Sequence, residues 1–198
     1  LAFLYMIESQ KYNRNSKTNY ETLLISWRQI DASEMVEYDE QTFLIFFQKF
    51  IKALLSKHSQ IKYIKIIDLC PLDSKINNRI YQILQKNITN AQINYESDAS
   101  IKTIINSIKH SYLFISARLH GIFTACSYNT PSIGFNYSPK VLAFVNSNNQ
   151  NTTLINYSEI QSFSYTSILD KIYKITINKT GPDNAQNNIK RIQKVINN

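Results

Sequence analysis

The chain has 198 residues, 43% of them apolar and 18% charged, with a net charge of +8. The length suits one large or two small domains and is enough to bury a core, and the apolar share excludes an intrinsically disordered chain. The lysines are scattered, with no run of five or six basic residues, so the charge reads as a solvated surface or as a preference for small anionic substrates, not as a nucleic-acid footprint.

Residues 1–20 read as an opening segment and linker, and residues 21–198 as one domain. Leu1 to Ile7 is apolar but has no basic stretch before it and no small-residue cleavage site after it, so it is not a signal peptide. No apolar run approaches the ~20 residues needed to cross a bilayer. The chain also lacks an initiator Met, and the expectation is a fragment that starts inside a longer protein. Residues 22–28 form an apolar strand ending in a polar turn. Residues 39–58 are helical, with Phe43, Phe46, Phe47, Phe50, Ile51, Leu54 and Leu55 at three- and four-residue spacing. A second strand covers 61–69, a helix 74–85 and a short strand 92–95. Asp98 is expected to cap a helix over 99–109 that turns Ile101, Ile104, Ile105 and Ile108 inward.

The fourth strand, 112–115, runs through Ser116-Ala117-Arg118-Leu119-His120-Gly121 into a helix over 119–127. Pro131 opens a fifth strand to Phe135, and Ser138-Pro139 starts the next helix, with proline where its missing N–H is harmless. A loop covers 146–152, a sixth strand 153–156, and helices over 164–176 and 183–196 pack back onto the domain. His58 and His110 fall at helix ends, where a cation suits the dipole, and are read as structural or solvated.

Only three glycines and four prolines occur, where average usage gives about 14 and 10. Asn, Ile, Lys, Ser and Tyr take their place, as codon bias in an AT-rich genome would produce. Gly121, Gly134 and Gly181 therefore call for a backbone reason; for Gly121 that is either close helix–sheet packing or close ligand approach. Cys70 and Cys126 sit in or beside apolar runs, unlike a secreted disulfide scaffold, which fits a reduced, cytoplasmic compartment. The histidines and cysteines lack paired metal-ligand spacing, and there is no P-loop or dinucleotide fingerprint.

Alternating strand and helix imply an α/β fold: a Rossmann-like, open, mostly parallel sheet with helices on both faces. In such sheets ligands bind outside the carboxyl ends of the strands, where the strand order switches. The residues to read are then Ser26 and Arg28, Asp68, Glu96, Ser116 and Arg118, and Asn136 and Tyr137. In the usual order 3-2-1-4-5-6 the first and fourth strands are neighbours, so Arg28 and Arg118 converge. Two arginine forks beside a helix N-terminus make an anion site, although either arginine alone could be a surface or salt-bridging residue. His120 stands in the same turn.

The motif Ser116-Ala117-Arg118-Leu119-His120-Gly121, then Asn129-Thr130-Pro131-Ser132-Ile133-Gly134, then Tyr137-Ser138-Pro139-Lys140-Val141, together with Ser26-Trp27-Arg28, resembles the polysaccharide pyruvyl transferase family. The likeness covers about residues 22–147. Asn129 departs from the family's usual glycine, a change that Asn tolerates in a left-handed turn. The resemblance implies one half of a GT-B-like enzyme, the C-terminal, donor-binding domain, whose N-terminal partner domain is missing here. It implies transfer of a pyruvyl group from phosphoenolpyruvate to two sugar hydroxyls of a glycan or lipid-linked glycan, forming a ketal in cell-surface polysaccharide synthesis. No cofactor or metal is implied. The cysteines point to the cytoplasm, and the basic balance suits an anionic lipid-linked acceptor, which would place the protein peripheral to the inner face of the membrane.

By motif match the donor falls to Arg28, Arg118 and His120. Leu119, Ser26, Ser116, Asn136 and Tyr137 complete the expected pocket, with Lys140 as a candidate for phosphate neutralisation. A donor carrying one carboxylate and one phosphate suits two forks, and its methylene carbon needs a proton, which makes His120 the expected general acid. Two alternatives stand beside this: a GT-B domain using a nucleotide sugar, with Glu96 as its acid, and a non-catalytic domain that recognises an anion or a glycan.

Overall fold

Leu23, Leu24 and Ile25 are consecutive, fully buried and apolar, so the first strand is apolar on both faces. Successive side chains of a strand point to opposite faces, and a strand apolar on both belongs inside a parallel sheet covered on both sides. The computed structural model describes residues 20–30, 38–148 and 152–177. Within them lie β1 (Thr22–Ser26), α1 (Glu40–Lys57), β2 (Tyr63–Ile67), a 3-10 turn (Pro71–Asp73) leading into α2 (Ser74–Asn87), and β3 (Gln92–Glu96). They continue as α3 (Ile101–His110), β4 (Leu113–Ser116), α4 (Leu119–Ser127), β5 (Ser132–Phe135), α5 (Pro139–Asn148), β6 (Thr152–Ile155), α6 (Tyr157–Gln161) and α7 (Tyr165–Ile177). The six strands form one sheet in the order β3-β2-β1-β4-β5-β6, every pair parallel. The order reverses between β1 and β4, at the centre of the sheet.

Side-chain alternation divides the core. Leu23, Ile25 and Trp27 face the larger cluster with α1, α2 and α7; Leu24 faces the other side, with Phe114, Ile67, Ile108 and Ala125 under α3 and α4. Helix α1 presents Phe43, Phe46, Phe47 and Phe50 to the sheet, all buried. Each such side chain contributes about 1.5–3 kcal/mol by burial. Trp27, just past β1, stacks on Phe43 with ring centroids 4.5 Å apart and meets Phe135 at 5.2 Å. The chain leaving β1 is therefore anchored on its apolar side just before Arg28.

Several boundaries differ from expectation, each for a local reason. Ser100, not Asp98, caps α3: its hydroxyl accepts from Thr103 N–H at 3.1 Å. Starting there, Ile101 falls outside the inward stripe and is 46% exposed. His58 is the C-cap of α1, but it is buried and bonded through Nδ1 to the Tyr112 hydroxyl at 2.9 Å. Burial, then the charge of Lys57, lowers its pKa, so it is a structural neutral histidine and not a dipole-stabilised cation. Helix α6 was not anticipated; it carries a capping box between Asn156 and Glu159. Helix α5 runs on into the expected loop to Asn148. The expected helix over 183–196, residues 1–19 and Gly181 lie outside the described residues. Helix α7 does pack back, burying Ile168, Leu169 and Ile172 in the main cluster.

Asn129 adopts φ 55. Its N–H bonds to Cys126 C=O, and Thr130 N–H to Ala125 C=O, which is the pattern that closes a helix through a left-handed residue. Asparagine thus fills the position usually given to glycine. Both cysteines are free thiols, and burial pushes the Cys126 thiol up to about 11.

Candidate anion site at the carboxyl edge of the sheet

Ser26 and Ser116 are in register at the ends of β1 and β4, so the chain leaves the sheet at the same level on both strands. Arg28 and Arg118 follow two residues later on each. Both serines are fully buried and form the floor of the site. The Ser116 hydroxyl accepts the Arg118 N–H at 3.0 Å, a local turn that ends the strand and leaves Arg118 extended (φ −96, ψ 120) at the N-cap of α4. Gly121, the third residue of α4, answers the open question about its role. A Cβ there would lie 2.7 Å from Leu69 Cδ1 and 2.9 Å from Ser116 Oγ. Glycine lets α4 sit down on β4, and it is packing that demands it.

The Arg118 guanidinium is held on one edge by Asp73. Nε donates to Oδ2 at 2.8 Å and Nη2 to Oδ1 at 2.7 Å. Asp73 is fully buried, while 26% of the Arg118 side chain stays accessible. The Asp73 hydrogen bond pushes the Arg118 pKa up, burial opposes it, and the charge of Asp73 with smaller contributions from Cys70 and Tyr137 adds to the rise. Arg28 lies over the Tyr137 ring, its Cζ 4.6 Å from the centroid, and its Nε donates to Gln29 C=O at 3.2 Å. Tyr137 thus contacts Arg28 directly and adds a small electrostatic contribution at Arg118.

His120 is the second residue of α4 and is exposed; its carbonyl accepts from the Thr124 hydroxyl at 2.8 Å. Leu119 packs against Ile122, Val141 and their neighbours. Asn136 donates through Nδ2 to Asn156 Oδ1 at 2.9 Å, at the rim by β6, and Lys140 is exposed near the start of α5. Ser26, Arg28, Ser116, Arg118 and Tyr137 are therefore gathered at the switch, with Leu119 and His120 on the adjoining turn and Asn136 and Lys140 further out. Glu96 stands on the far strand β3 and pairs with Lys65 at 2.7 Å. A groove of about 530 Å³ lies elsewhere, lined by Lys65, Lys102, Asn106, Ser107, Lys109 and Tyr128 among others, and the arginines take no part in it.

Two residues escaped the sequence reading. One is Asp73. The other is Asn77, buried on α2, whose Oδ1 accepts Trp27 N–H at 2.8 Å and whose Nδ2 donates to Trp27 C=O at 3.0 Å and to Asp68 Oδ1 at 2.8 Å. Asp68 accepts further from Ser74 Oγ at 2.6 Å and Tyr95 OH at 2.8 Å. Burial first, then the bond to Asp68, pushes the Tyr95 hydroxyl up to about 12. This network fixes the backbone of Trp27, one residue before Arg28. An asparagine beside Ile76 on the buried face of an amphipathic helix was the available signal.

A family model described as polysaccharide pyruvyl transferase matches residues 10–139, about two thirds of the chain. No curated protein matches by sequence. Among solved structures, the UDP-GlcNAc 2-epimerase of Methanocaldococcus jannaschii, in complex with UDP-GlcNAc and UDP, aligns with TM-score 0.59 and 12% identity over 99% of this chain and 51% of its own. The UDP-GlcNAc 2-epimerase of Neisseria meningitidis, bound to UDP-GlcNAc, aligns with TM-score 0.51 and 15% identity over 98% and 50%. A UDP-forming α,α-trehalose-phosphate synthase of Burkholderia vietnamiensis aligns with TM-score 0.54 and 10% identity over 91% and 41%. At such identities the likeness is one of fold: one half of a GT-B architecture. The chain spans about half the length of these proteins. Among the described residues, no helix is long and apolar enough to cross a membrane.

Proposed function

The chain belongs to the polysaccharide pyruvyl transferase family, and on that premise we propose that it is the donor-binding half of an enzyme that moves a pyruvyl group from phosphoenolpyruvate to two hydroxyls of a sugar, in cell-surface polysaccharide synthesis. The acceptor is a glycan or lipid-linked glycan, and the N-terminal domain supplies the opposite wall of the cleft. The observation that carries the reading is that Arg28 and Arg118 leave two neighbouring strands at the same level at the strand switch, Arg118 on the turn that opens α4. Phosphoenolpyruvate carries its two anionic groups, a carboxylate and a phosphate, on one carbon. Two forks and a helix N-terminus match that charge distribution.

The chemistry then assigns roles. A proton goes to the methylene carbon of the donor, and His120, exposed on the same turn, delivers it. The central carbon becomes oxocarbenium-like and is attacked by the first sugar hydroxyl, which loses its proton. Phosphate departs with its bonding electrons, and the second hydroxyl attacks the same carbon to close the ketal. Of the two hydroxyl protons released, one balances the proton given to the methylene and the other leaves on phosphate. Arg118 and Arg28 neutralise the carboxylate and the phosphate, whose charge grows as it leaves. Lys140 adds positive charge at the rim.

The test is His120→Gln in the full-length protein, with phosphoenolpyruvate binding and ketal formation measured separately. Binding within threefold of wild type and turnover reduced at least 100-fold is the expected result, in the range general acids contribute. Turnover within threefold of wild type rejects the acid role. Equilibrium binding of a UDP-sugar in place of phosphoenolpyruvate would move the function to sugar transfer, and binding of neither donor by the full-length protein would leave a recognition domain.

A further inference from the structure

Asp73 occupies the N-cap position of α2, where an aspartate ordinarily accepts a hydrogen bond from the first turn. It makes no such bond. Both carboxylate oxygens are turned instead to Arg118, 45 residues away in the chain. The carboxylate is fully buried, and the chain around it is pinned: Asp73 N–H bonds to Cys70 C=O at 2.9 Å, and Ser74 Oγ bonds to Pro71 C=O at 2.9 Å and to Asp68. A buried carboxylate that gives up its local cap for a distant cation is a fixed jig for that cation.

The stereochemistry of the grip has a consequence. A guanidinium has five N–H donors in a rigid plane. Asp73 takes one on Nε and one on Nη2. What remains is the far edge, the two N–H of Nη1 and the second N–H of Nη2, on a side chain that stays 26% accessible. An incoming carboxylate or phosphate can dock two oxygens only end-on, across Nη1 and Nη2, along a direction set by Asp73.

We propose that Asp73 is a positioning residue for the donor: by gripping Arg118 side-on it presents the opposite edge of the guanidinium as an end-on, two-pronged seat for one anionic group of the donor. The proposal rests on the reading of Arg118 as a donor ligand and adds to it the direction of approach and the residue that sets it. It differs from a purely structural ion pair in one respect: the effect of Asp73 on donor binding must pass through Arg118.

The experiment is a double-mutant cycle in the full-length protein with Asp73→Asn, Arg118→Ala and the double variant. Equilibrium binding of phosphoenolpyruvate and thermal unfolding are measured on each. Asp73→Asn keeps the volume but can accept only one of the two N–H bonds, so the fork swings free. The expected result is at least a fivefold loss of phosphoenolpyruvate affinity in Asp73→Asn and in Arg118→Ala, with less than a twofold further loss on adding Asp73→Asn to Arg118→Ala. A loss below fivefold in Asp73→Asn while Arg118→Ala is impaired overturns the positioning role and leaves the donor site standing. A loss of twofold or more from Asp73→Asn in the Arg118→Ala background means the residue acts through the fold, and also overturns it. Unchanged binding in Arg118→Ala removes the donor-site reading itself, and the positioning role with it. Should Asp73→Asn not fold, Asp73→Glu replaces it: the ion pair survives, but the extra methylene displaces the guanidinium. Affinity down at least threefold at a near-normal melting temperature supports the proposal, and a smaller loss rejects it.

Discussion

Replacing Gly121 by alanine sets two opposing effects against each other, and the structure says which wins. Gly121 is the third residue of α4 and has no positive φ, so alanine brings no backbone strain and a gain in helix propensity of about 1 kcal/mol. Against that, the new methyl would stand 2.7 Å from Leu69 Cδ1, 2.9 Å from Ser116 Oγ and 3.1 Å from Phe114 Cε1. Leu69 is only partly buried and its methyl can swing aside. Phe114 and Ser116 are fully buried, and the Ser116 hydroxyl is engaged with the Arg118 N–H. Relief therefore comes from rotating Ser116, which gives up a bond of about 1 kcal/mol, or from lifting α4 off the sheet. Overpacking of this kind costs about 1–3 kcal/mol. With the lost bond added to the overpacking and the helix-propensity gain subtracted, the net is a destabilisation of about 1–3 kcal/mol, or a melting temperature lower by about 3–10 °C for a chain of this size.

The assay pairs thermal unfolding with phosphoenolpyruvate binding and compares Gly134→Ala. At Gly134 the added methyl meets only the far ends of aliphatic side chains, Ile122 Cδ1 at 2.7 Å and Leu154 Cδ2 at 3.0 Å. Both variants should melt lower. Only Gly121→Ala should also lose donor affinity, because only there does relief disturb the turn that carries Arg118. A Gly121→Ala protein that melts at or above wild type refutes the packing argument; equal loss of affinity in both variants refutes the link to Arg118.

Two further outcomes follow from buried polar groups. Asn77→Ala removes both partners of the Trp27 peptide and one donor to Asp68; buried groups left unpaired cost about 1–3 kcal/mol each, so urea unfolding should show a loss of about 3–5 kcal/mol, and a loss under 1 kcal/mol contradicts the clamp. His58 has its pKa lowered in the folded chain by burial, so the unfolded chain binds the proton more readily. Its contribution to stability is then present above the ordinary value of 6.5 and lost as pH falls through the lowered one. Urea unfolding between pH 8 and pH 5 should show stability dropping on the acid side, and His58→Gln should flatten that drop; an identical slope in the variant would exclude His58 as its source.

The architecture was readable because it rests on local and periodic rules. Strands apolar on both faces alternate with amphipathic helices, which dictates a parallel sheet, and the usual strand order then places Ser26 beside Ser116, as found. That Arg28 and Arg118 leave neighbouring strands at the same level followed from that order without any knowledge of side-chain contacts. Boundaries were less readable where two residues competed for one role: Asp98 and Ser100 are both good caps, and only the path from β3 into α3 decides for Ser100.

Asp73 was unreadable for a deeper reason of the same kind. Placed just before Ser74, it has every local mark of a helix cap, and the cap position is where it sits. Whether its carboxylate turns inward to its own helix or outward to a guanidinium depends on what the strand order brings alongside. The turn after β2 and the turn after β4 are separated by β1 in the sheet, yet Asp73 and Arg118 meet across the chain leaving β1. Asn77 holds that same chain from the α2 side at Trp27. One helix start therefore sets the carboxyl edge on both sides of the switch: through Asn77 the path of the chain into Arg28, and through Asp73 the plane of Arg118. Neither function is written in the α2 sequence alone, since each partner belongs to a different strand.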